Sequence, residues 1–161
     1  AFAAYCRSGG SWNLVIVGTA LWKRKQFGAT AVYDTLEEPV RLRIRFTGWQ
    51  EQETVAAIVA TAGAMVFIPW YEGFGVPLIE AFSVGTPVIL SNRTALPEIA
   101  GGAARLVDPS DVVQVAQSML YLEHNPQVCE ELAVKGKIRA QAFTWERTSR
   151  ALWDSIERSM T

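Results

Sequence analysis

The chain has 161 residues, 50% of them apolar, and a formal net charge of −1 at pH 7. This length and composition predict one folded domain with a sizeable core and exclude a disordered tail. The near-zero net charge provides no basic field, so nucleic acid is not expected as a partner. No apolar run approaches the roughly 18 residues that a membrane-spanning helix needs.

The two cysteines, Cys6 and Cys129, are far apart in the sequence and lack the spacing of metal ligands. We therefore expect no zinc site, and two isolated thiols suit a reducing, cytoplasmic compartment. The first ten residues read as the middle of a helix, without an initiator methionine. We expect residues 1–161 to be a single domain cut from a longer protein.

Strand patterns alternate with helix patterns along the whole chain, which predicts an α/β fold. The expected architecture is a Rossmann-like, doubly wound parallel sheet with helices on both faces. In the first half we predict a helix end at 1–6, a strand buried on both faces at 14–18, a mostly helical stretch at 21–36, an edge strand at 40–46 and a helix at 51–61. In the second half we predict strands at 65–68, 87–90 and 104–107, a short helix near 97–99, a helix capped by Ser110, and helices beginning at Pro126 and after Thr144.

Arginines 41, 43 and 45 alternate with apolar residues in the predicted strand 40–46. They could form a basic stripe for anionic lipid or phosphate. We favour the solvated face of an edge strand, where charge discourages aggregation. His124, the only histidine, is explained by its place at a helix end rather than by catalysis. Ser83, Ser91 and Thr94 have no histidine–acid partner nearby in the sequence, so no hydrolase triad is predicted.

The most informative segment is 70–87, which reads W-Y-E-G-F-G-V-P-L-I-E-A-F-S-V-G-T-P. Two carboxylates, Glu72 and Glu80, have seven residues between them. The first lies in a glycine-rich loop and the second on the helix that follows. The loop comes directly after the predicted strand 65–68, and open α/β sheets bind ligands beyond the carboxyl ends of their strands.

The same segment predicts an anion site built from backbone amides. Gly73 and Gly75 let N–H groups approach a ligand without interference from a Cβ atom. Pro77 fits the first turn of a helix, whose N-terminus carries the positive end of the helix dipole. The helix-start amides expected to face the ligand are those near Val76, Leu78 and Ile79.

Two carboxylates beside an anion site are explained if they accept hydrogen bonds from hydroxyl groups on either side of a diphosphate. A nucleotide sugar has this arrangement, with the ribose on one side and the transferred sugar on the other. The alternative is that Glu72 is a solvated loop residue and that Glu80 only favours the helix N-terminus. The flanking glycines, the prolines and the preceding strand favour the ligand interpretation.

The sequence E-G-F-G-V-P-L-I-E-A-F-S-V-G-T-P-V-I, starting at Glu72, resembles the E-x7-E signature of retaining glycosyltransferases of family 4, which have the GT-B fold. Three further stretches resemble that family in the same order: 14–18, 91–98 and 143–145. Together they span nearly the whole chain. The resemblance implies the C-terminal, nucleotide-sugar-binding half of a two-domain enzyme.

By position, Glu80 resembles the family's ribose-binding carboxylate and Glu72 the carboxylate that meets the donor sugar. In the favoured front-face mechanism Glu72 is a catalytic positioner and electrostatic stabiliser, not a covalent nucleophile. The other residues that the resemblance implies at the donor are Gly73, Phe74 and Gly75 beside the sugar, Val76, Pro77 and Leu78 against the diphosphate, and Gly48, Trp49 and Gln50 near the base.

The implied activity is transfer of a hexosyl group from a nucleotide diphosphate sugar to an acceptor, with retention of configuration and without a required metal or cofactor. The acceptor would be a glycan, a lipid or a small molecule, as in polysaccharide biosynthesis. Expected partners also include an N-terminal domain that residues 1–161 lack and further copies of the chain, which could pair through its last helix. Without that domain the chain should be inactive. The full-length protein is expected in the cytoplasm or peripherally at the inner membrane face.

The chain departs from the family pattern at three points. Trp70 stands where a small serine is usual; it could reshape the donor pocket or simply pack, and we favour packing. The family's Arg and Lys that clamp the diphosphate would precede Leu14. The familiar strand order 3-2-1-4-5-6 would make 14–18 the second strand and leave the central slot without its first strand, so we predict that another segment or a rearrangement fills it.

Two other functions remain open at this stage. One is a non-catalytic module that binds a sugar nucleotide or a partner, and the other is a related GT-B enzyme such as a sugar-nucleotide epimerase. The presence of Glu72, Glu80 and both loop glycines favours a catalytic domain over a decayed module.

Overall fold

The computed structural model describes the main chain of residues 1–18 and 29–160, and the side chains of these residues except 29–31. Its strands are β1 (Leu14–Val17), β2 (Ile44–Gly48), β3 (Met65–Phe67), β4 (Val88–Ser91) and β5 (Arg105–Val107). Its helices are α1 (Phe2–Arg7), α2 (Ala29–Asp34), α3 (Glu38–Arg41), α4 (Gln52–Thr61), α5 (Val76–Val84), α6 (Leu96–Ala100), α7 (Val112–His124), α8 (Pro126–Ala140) and α9 (Trp145–Ser159). Part of the predicted helical stretch, 21–28, lies outside the described residues.

The described strands form two parallel sheets, β2–β1 and β3–β4–β5. The α/β prediction is therefore confirmed, and so is the edge position of β2 among these strands. The order of neighbouring strands agrees with the predicted arrangement 3-2-1-4-5-6, in which β1 to β5 take positions 2 to 6. Position 1, the central slot, then lies between β1 and β3. No described strand occupies that slot, so the absence of a first strand and the filling of the slot by another segment both stay predictions.

Strand β4 is the centre of the core. All four of its residues are buried, and α5, α6 and α7 pack against the three-stranded sheet. Because successive side chains of a strand point to opposite faces, β4 contributes to two apolar clusters. Val88 and Leu90 pack with α5 and α6, whereas Ile89 packs with residues of α1 and α7.

Strand β1 is less buried than predicted. Val15 is 44% exposed, so the expected burial on both faces is wrong. Within residues 1–18 and 29–160 most of the helix packing is on the other sheet, and β1 pairs with only one strand.

The predicted strand 40–46 is wrong in its first half, where the chain forms helix α3. Pro39 stands in the first turn of this helix, a position at which its fixed φ is favourable. The alternation is consequently broken: Leu42 is 70% exposed, while the Arg43 guanidinium turns inward. Arg43 donates to the Trp12 carbonyl and lies over the rings of Phe2 and Tyr5, 5.7 and 5.9 Å from their centroids. It is therefore not part of a solvated stripe.

The predicted cap of α7 is also displaced by one residue. Asp111, which directly precedes the helix, accepts a hydrogen bond from the Gln114 amide at 2.9 Å. Ser110 lies one position too early and instead donates its hydroxyl to Asp108 at 2.6 Å. The caps predicted around Asn125–Pro126 and at Thr144 are confirmed.

The last helix, α9, has a well-separated apolar face and no buried residue. Trp145 is 89% exposed and Trp153 is 59% exposed. The apolar face of α9 is thus exposed in the single chain, and its pairing with another copy stays a prediction. No helix in the described part of the chain is long and apolar enough to span a membrane.

A hydrogen-bond network ties α1 to α7 and to the start of β1. The buried Tyr5 hydroxyl donates to Glu123 at 2.5 Å and accepts from the Trp12 amide at 2.7 Å. Ser11 donates to the other oxygen of the same carboxylate through its amide and hydroxyl. Burial, and then the hydrogen bond to Glu123, raise the pKa of Tyr5 to about 12.

We expect Tyr5→Phe to lower the free energy of unfolding at pH 8 by about 1–3 kcal/mol, because Glu123 and the Trp12 amide lose a buried partner. Since the folded-state pKa of Tyr5 is raised from 10 to about 12, its protonation stabilises the fold below pH 10. That contribution is lost as pH rises through the folded pKa. Urea unfolding from pH 8 to 12 should therefore show the difference between wild type and variant shrinking; a constant difference would contradict this assignment.

Candidate functional site

The start of helix α5 is fixed by a glycine that no other residue can replace without strain. Gly75 precedes the helix with φ +92°, in the left-handed region that favours glycine. A Cβ atom at Gly75 would also lie 2.7 Å from Cδ2 of Leu96 in α6. The loop 72–75 is therefore packed closely against the segment that follows β4.

The helix-start amides are not all available to a ligand. Those of Leu78 and Ile79 donate to the Gly75 carbonyl at 2.9 and 3.4 Å. The expectation that these two N–H groups point into the loop is therefore wrong, because they close the first turn of α5. The Leu78 side chain is fully buried in the core. Contact of Val76, Pro77 and Leu78 with a diphosphate remains a prediction.

Glu72 is held at both its main chain and its carboxylate. Oε1 accepts hydrogen bonds from the amides of Gly73 and Phe74, at 3.1 and 3.4 Å. Its own amide donates to Thr94 Oγ1 at 3.2 Å, and its carbonyl accepts from the same hydroxyl at 2.8 Å. The half-buried carboxylate keeps lone pairs that can accept hydrogen bonds from a sugar.

The neighbouring residue, Phe74, is anchored against the C-terminal helices. Its ring meets that of Phe143 edge-on, with centroids 5.5 Å apart. Arg139 lies over the Phe143 ring at 4.8 Å and donates to the carbonyls of Glu98 and Ile99. The stretch 143–145, which resembles the family pattern, thus supports the glycine-rich loop from behind.

Glu80 lies in the second turn of α5 and faces α4. Its exposed side chain lines a groove of about 220 Å³ between α4 and α5. The other residues lining the groove are Gln52, Val55, Ala56, Val59, Ser83 and Val84. The groove is smaller than the roughly 300 Å³ of typical ligand pockets, so it can hold only part of a nucleotide sugar.

The structure therefore separates the two predicted carboxylates. Glu72 contacts the segment between β4 and α6, and Glu80 faces α4. Two hydrogen-bond acceptors with different neighbours, one before α5 and one in its second turn, can each hold a different part of an extended ligand.

Gly48 and Trp49 lie where β2 ends, directly before α4. Gly48 has φ +67° and its carbonyl accepts from the Gly18 amide at 3.0 Å, so it joins the carboxyl ends of β1 and β2. Trp49 is 66% exposed, and the side chain of Gln50 donates to the Thr47 carbonyl at 2.9 Å. These residues directly precede α4, the helix that forms one wall of the Glu80 groove. The base-binding role of Gly48 and Trp49 stays a prediction.

Trp70 does not pack in the core. It is 65% exposed and its neighbour Tyr71 is 81% exposed, so the interpretation of Trp70 as a packing residue is wrong. Both follow Pro69, after β3 has ended, where the chain emerges at the surface. They place two aromatic rings next to Glu72 in the sequence.

No metal centre is found among the residues that the structure describes. No three His, Cys, Asp or Glu side chains in that part of the chain are grouped to hold an ion. Cys6 and Cys129 are free and half-buried, and burial raises the pKa of each thiol.

The two loop glycines lead to contrasting predictions. A Cβ atom at Gly73 would meet open space, and this residue lacks the positive φ of Gly75. We expect Gly73→Ala to leave Tm unchanged within experimental error but to weaken donor binding, because the methyl group enters the space of the ligand. Gly75→Ala should lower stability by about 1–3 kcal/mol through strain and overpacking. Thermal unfolding and donor titration of both variants provide the check; equal Tm values would contradict the distinction.

The contact between Thr94 and Glu72 could not be predicted from the sequence. Thr94 lies in the stretch 91–98 that resembles the family pattern, but its contact with Glu72 joins residues that are 22 positions apart. A contact over this distance in the sequence is not predicted by hydrophobic periodicity or by any local motif.

Comparison with known proteins agrees with this fold. Residues 1–139 match the sequence profile of the family "Glycosyl transferases group 1". The chain is 37% identical over 103 residues to O-antigen chain mannosyltransferase B of Escherichia coli, a match that covers 64% of this chain and 27% of that protein. It is 27% identical over 154 residues to the GDP-mannose-dependent alpha-(1-6)-phosphatidylinositol dimannoside mannosyltransferase of Mycobacterium tuberculosis, covering 94% of this chain and 37% of the other.

Solved structures show the same architecture. Sucrose-phosphate synthase from Thermosynechococcus elongatus superposes with a TM-score of 0.81 at 26% identity, over 98% of this chain and 41% of the other. Anabaena HepE in complex with UDP-glucose gives 0.83 at 16% identity, over 98% and 44%, which is a likeness of fold alone.

The fold and the profile match define a GT-B glycosyltransferase class, which confirms the resemblance noted in the sequence. The chain belongs to the group 1 glycosyl transferase family. It spans 27% to 44% of the length of the relatives described above.

Proposed function

We propose that the chain is the donor-binding domain of a retaining glycosyltransferase. The full-length protein would transfer a hexosyl group from a nucleotide diphosphate sugar to a hydroxyl group of a glycan, lipid or small molecule. The observation that carries this proposal is that Glu72 precedes α5 and contacts Thr94, while Glu80 in the second turn of α5 lines the groove with α4. The family membership supplies the reaction class.

In the proposed complex the α5 N-terminus faces the diphosphate, where the helix dipole favours negative charge. Glu80 accepts hydrogen bonds from the ribose in the α4–α5 groove. Glu72 accepts hydrogen bonds from the transferred sugar, with the amides of Gly73 and Phe74 beside it. The base lies toward Gly48 and Trp49, at the end of β2.

The proposed reaction retains the anomeric configuration by attack on the front face. The acceptor oxygen forms a bond to the anomeric carbon on the side from which the nucleoside diphosphate departs, and the acceptor proton passes to the leaving phosphate oxygen. The carboxylate of Glu72 positions the sugar and stabilises positive charge that develops on the ring. This scheme requires no metal or cofactor. We further propose that the full-length protein works in the cytoplasm.

The names of the relatives indicate which donor to test first. The two relatives described above are mannosyltransferases, and one of them is GDP-mannose-dependent. We therefore propose GDP-mannose as the preferred donor. HepE, which binds UDP-glucose, makes UDP-glucose the matched alternative.

The test is a calorimetric titration of the full-length protein with GDP-mannose, UDP-glucose and ADP-glucose, followed by transfer assays with labelled donor. Tight binding and acceptor-dependent release of the nucleoside diphosphate would support the proposal. Binding without transfer to any acceptor would favour a non-catalytic module. Conversion of the donor sugar without an acceptor would favour an epimerase.

A further inference from the structure

Thr94 stands in a backbone conformation that its residue type disfavours. Its φ is +53°, and it is the only non-glycine residue with positive φ in the described part of the chain. A β-branched residue in this region is an outlier, because its branched side chain crowds the main chain. The Thr94 side chain is exposed, so burial in the core does not explain it.

The loop that carries Thr94 is held from several directions. The Asn92 amide donates to the Val107 carbonyl at 2.8 Å, and the Arg93 amide donates to Ser91 Oγ at 3.2 Å. The Arg93 guanidinium pairs with Asp108 at 2.7 Å. These contacts anchor the loop to the ends of β4 and β5, in addition to its contact with Glu72.

The Thr94 hydroxyl makes two hydrogen bonds, both to the main chain of Glu72. It donates to the Glu72 carbonyl at 2.8 Å and accepts from the Glu72 amide at 3.2 Å. One hydroxyl thereby uses its proton and a lone pair to fix both peptide groups of a single residue. Two residues after Thr94, Leu96 limits the space beside Gly75. The segment 94–96 therefore contacts the glycine-rich loop at its first residue, Glu72, and at its last, Gly75.

We propose that Thr94 is a positioning residue, which retains its strained backbone because its hydroxyl holds Glu72 in place for the donor sugar. This inference rests on the proposed function for the chemistry at Glu72, but its geometric part stands on the structure alone. Displacement of a catalytic group by about 1 Å can lower a rate by about 100-fold. We therefore expect the loss of the hydroxyl to lower kcat about 10- to 100-fold, with a smaller change in KM for the donor.

Three variants of the full-length protein separate positioning from stability. Thr94→Ser keeps the hydroxyl and should retain nearly wild-type kcat. Thr94→Val keeps the branched shape and the strain but lacks the hydroxyl, so both Tm and kcat should fall. Thr94→Gly relieves the strain and lacks the hydroxyl, so Tm should stay level or rise while kcat falls as in Thr94→Val.

A purely structural role predicts the opposite result for Thr94→Gly, with kcat following Tm and remaining at the wild-type level. That outcome, with an active wild-type enzyme, would overturn the inference and leave the proposed function intact. An inactive wild-type enzyme would instead count against the proposed function.

Hydrogen exchange provides a readout that does not depend on activity. Without donor, the Glu72 amide should exchange faster in Thr94→Gly and Thr94→Val than in the wild type, and Thr94→Ser should match the wild type. The Asn92 amide, which donates to Val107, serves as the internal control. Equal exchange of the Glu72 amide in all four proteins would overturn the positioning role even if no transfer activity is found.

Discussion

Replacement of Glu72 by glutamine in the full-length protein is expected to lower kcat for sugar transfer by about 100- to 1,000-fold, the range seen when one preorganised electrostatic contact is removed. The structure favours glutamine for this test. Its side-chain oxygen can still accept from the amides of Gly73 and Phe74, which hold Oε1 of Glu72. The loop should therefore keep its shape while the negative charge is lost.

The measurement is kcat at saturating donor, together with Tm to confirm folding. Glu130→Gln, an exposed change of the same type on α8, is the matched control and should be silent. Because Glu72 is assigned to the transferred sugar, affinity for the nucleoside diphosphate alone should not change. An unaltered kcat in Glu72→Gln would remove Glu72 from the mechanism.

Replacement of Glu80 by alanine is expected to weaken donor binding by about 1–3 kcal/mol, because the ribose hydroxyls would lose their acceptor. This corresponds to about 5- to 150-fold in Kd. The side chain is exposed on α5 and lines the α4–α5 groove, so stability should change little. Unlike Glu72→Gln, this variant should weaken the nucleoside diphosphate and the nucleotide sugar equally.

Calorimetry with both ligands distinguishes the two carboxylates. Ser83→Ala is the matched control for Glu80, because Ser83 lines the same groove but donates its hydroxyl to the Glu80 carbonyl within the helix, at 2.7 Å. Its Kd should equal that of the wild type. If Glu80→Ala binds the nucleoside diphosphate as tightly as the wild type, the ribose assignment is wrong.

The strands and the glycine-rich loop could be predicted from the sequence because their signals are local. Apolar runs at 65–68 and 87–90 mark β3 and β4, and the glycine, proline and glutamate pattern of 72–80 marks the start of α5. The alternating arginines were misleading for a physical reason. Alternation predicts a strand, but Pro39 favours a helix at Glu38–Arg41 and changes which side chains turn inward.

The remaining features depend on contacts between distant residues. The position of Thr94 against Glu72, the ring of Phe143 behind Phe74 and the place of Arg43 over Tyr5 are all set by tertiary packing. Exposure of Trp70 likewise depends on how the chain leaves β3. None of these features produces a periodic pattern in the sequence from which it could be predicted.

The division of the strands into two sheets has a consequence for how a donor would affect the molecule. Glu72 and Thr94, which are proposed to lie at the transferred sugar, follow strands of the buried three-stranded sheet. Gly48 is the last residue of β2 in the more exposed β1–β2 pair, and Trp49 follows it. In the free chain these two units can differ in local unfolding free energy, with the base side as the less protected cooperative unit. A nucleotide sugar that contacts both units would couple their local unfolding. Ligand binding would therefore reduce local unfolding most strongly in β2 and α4.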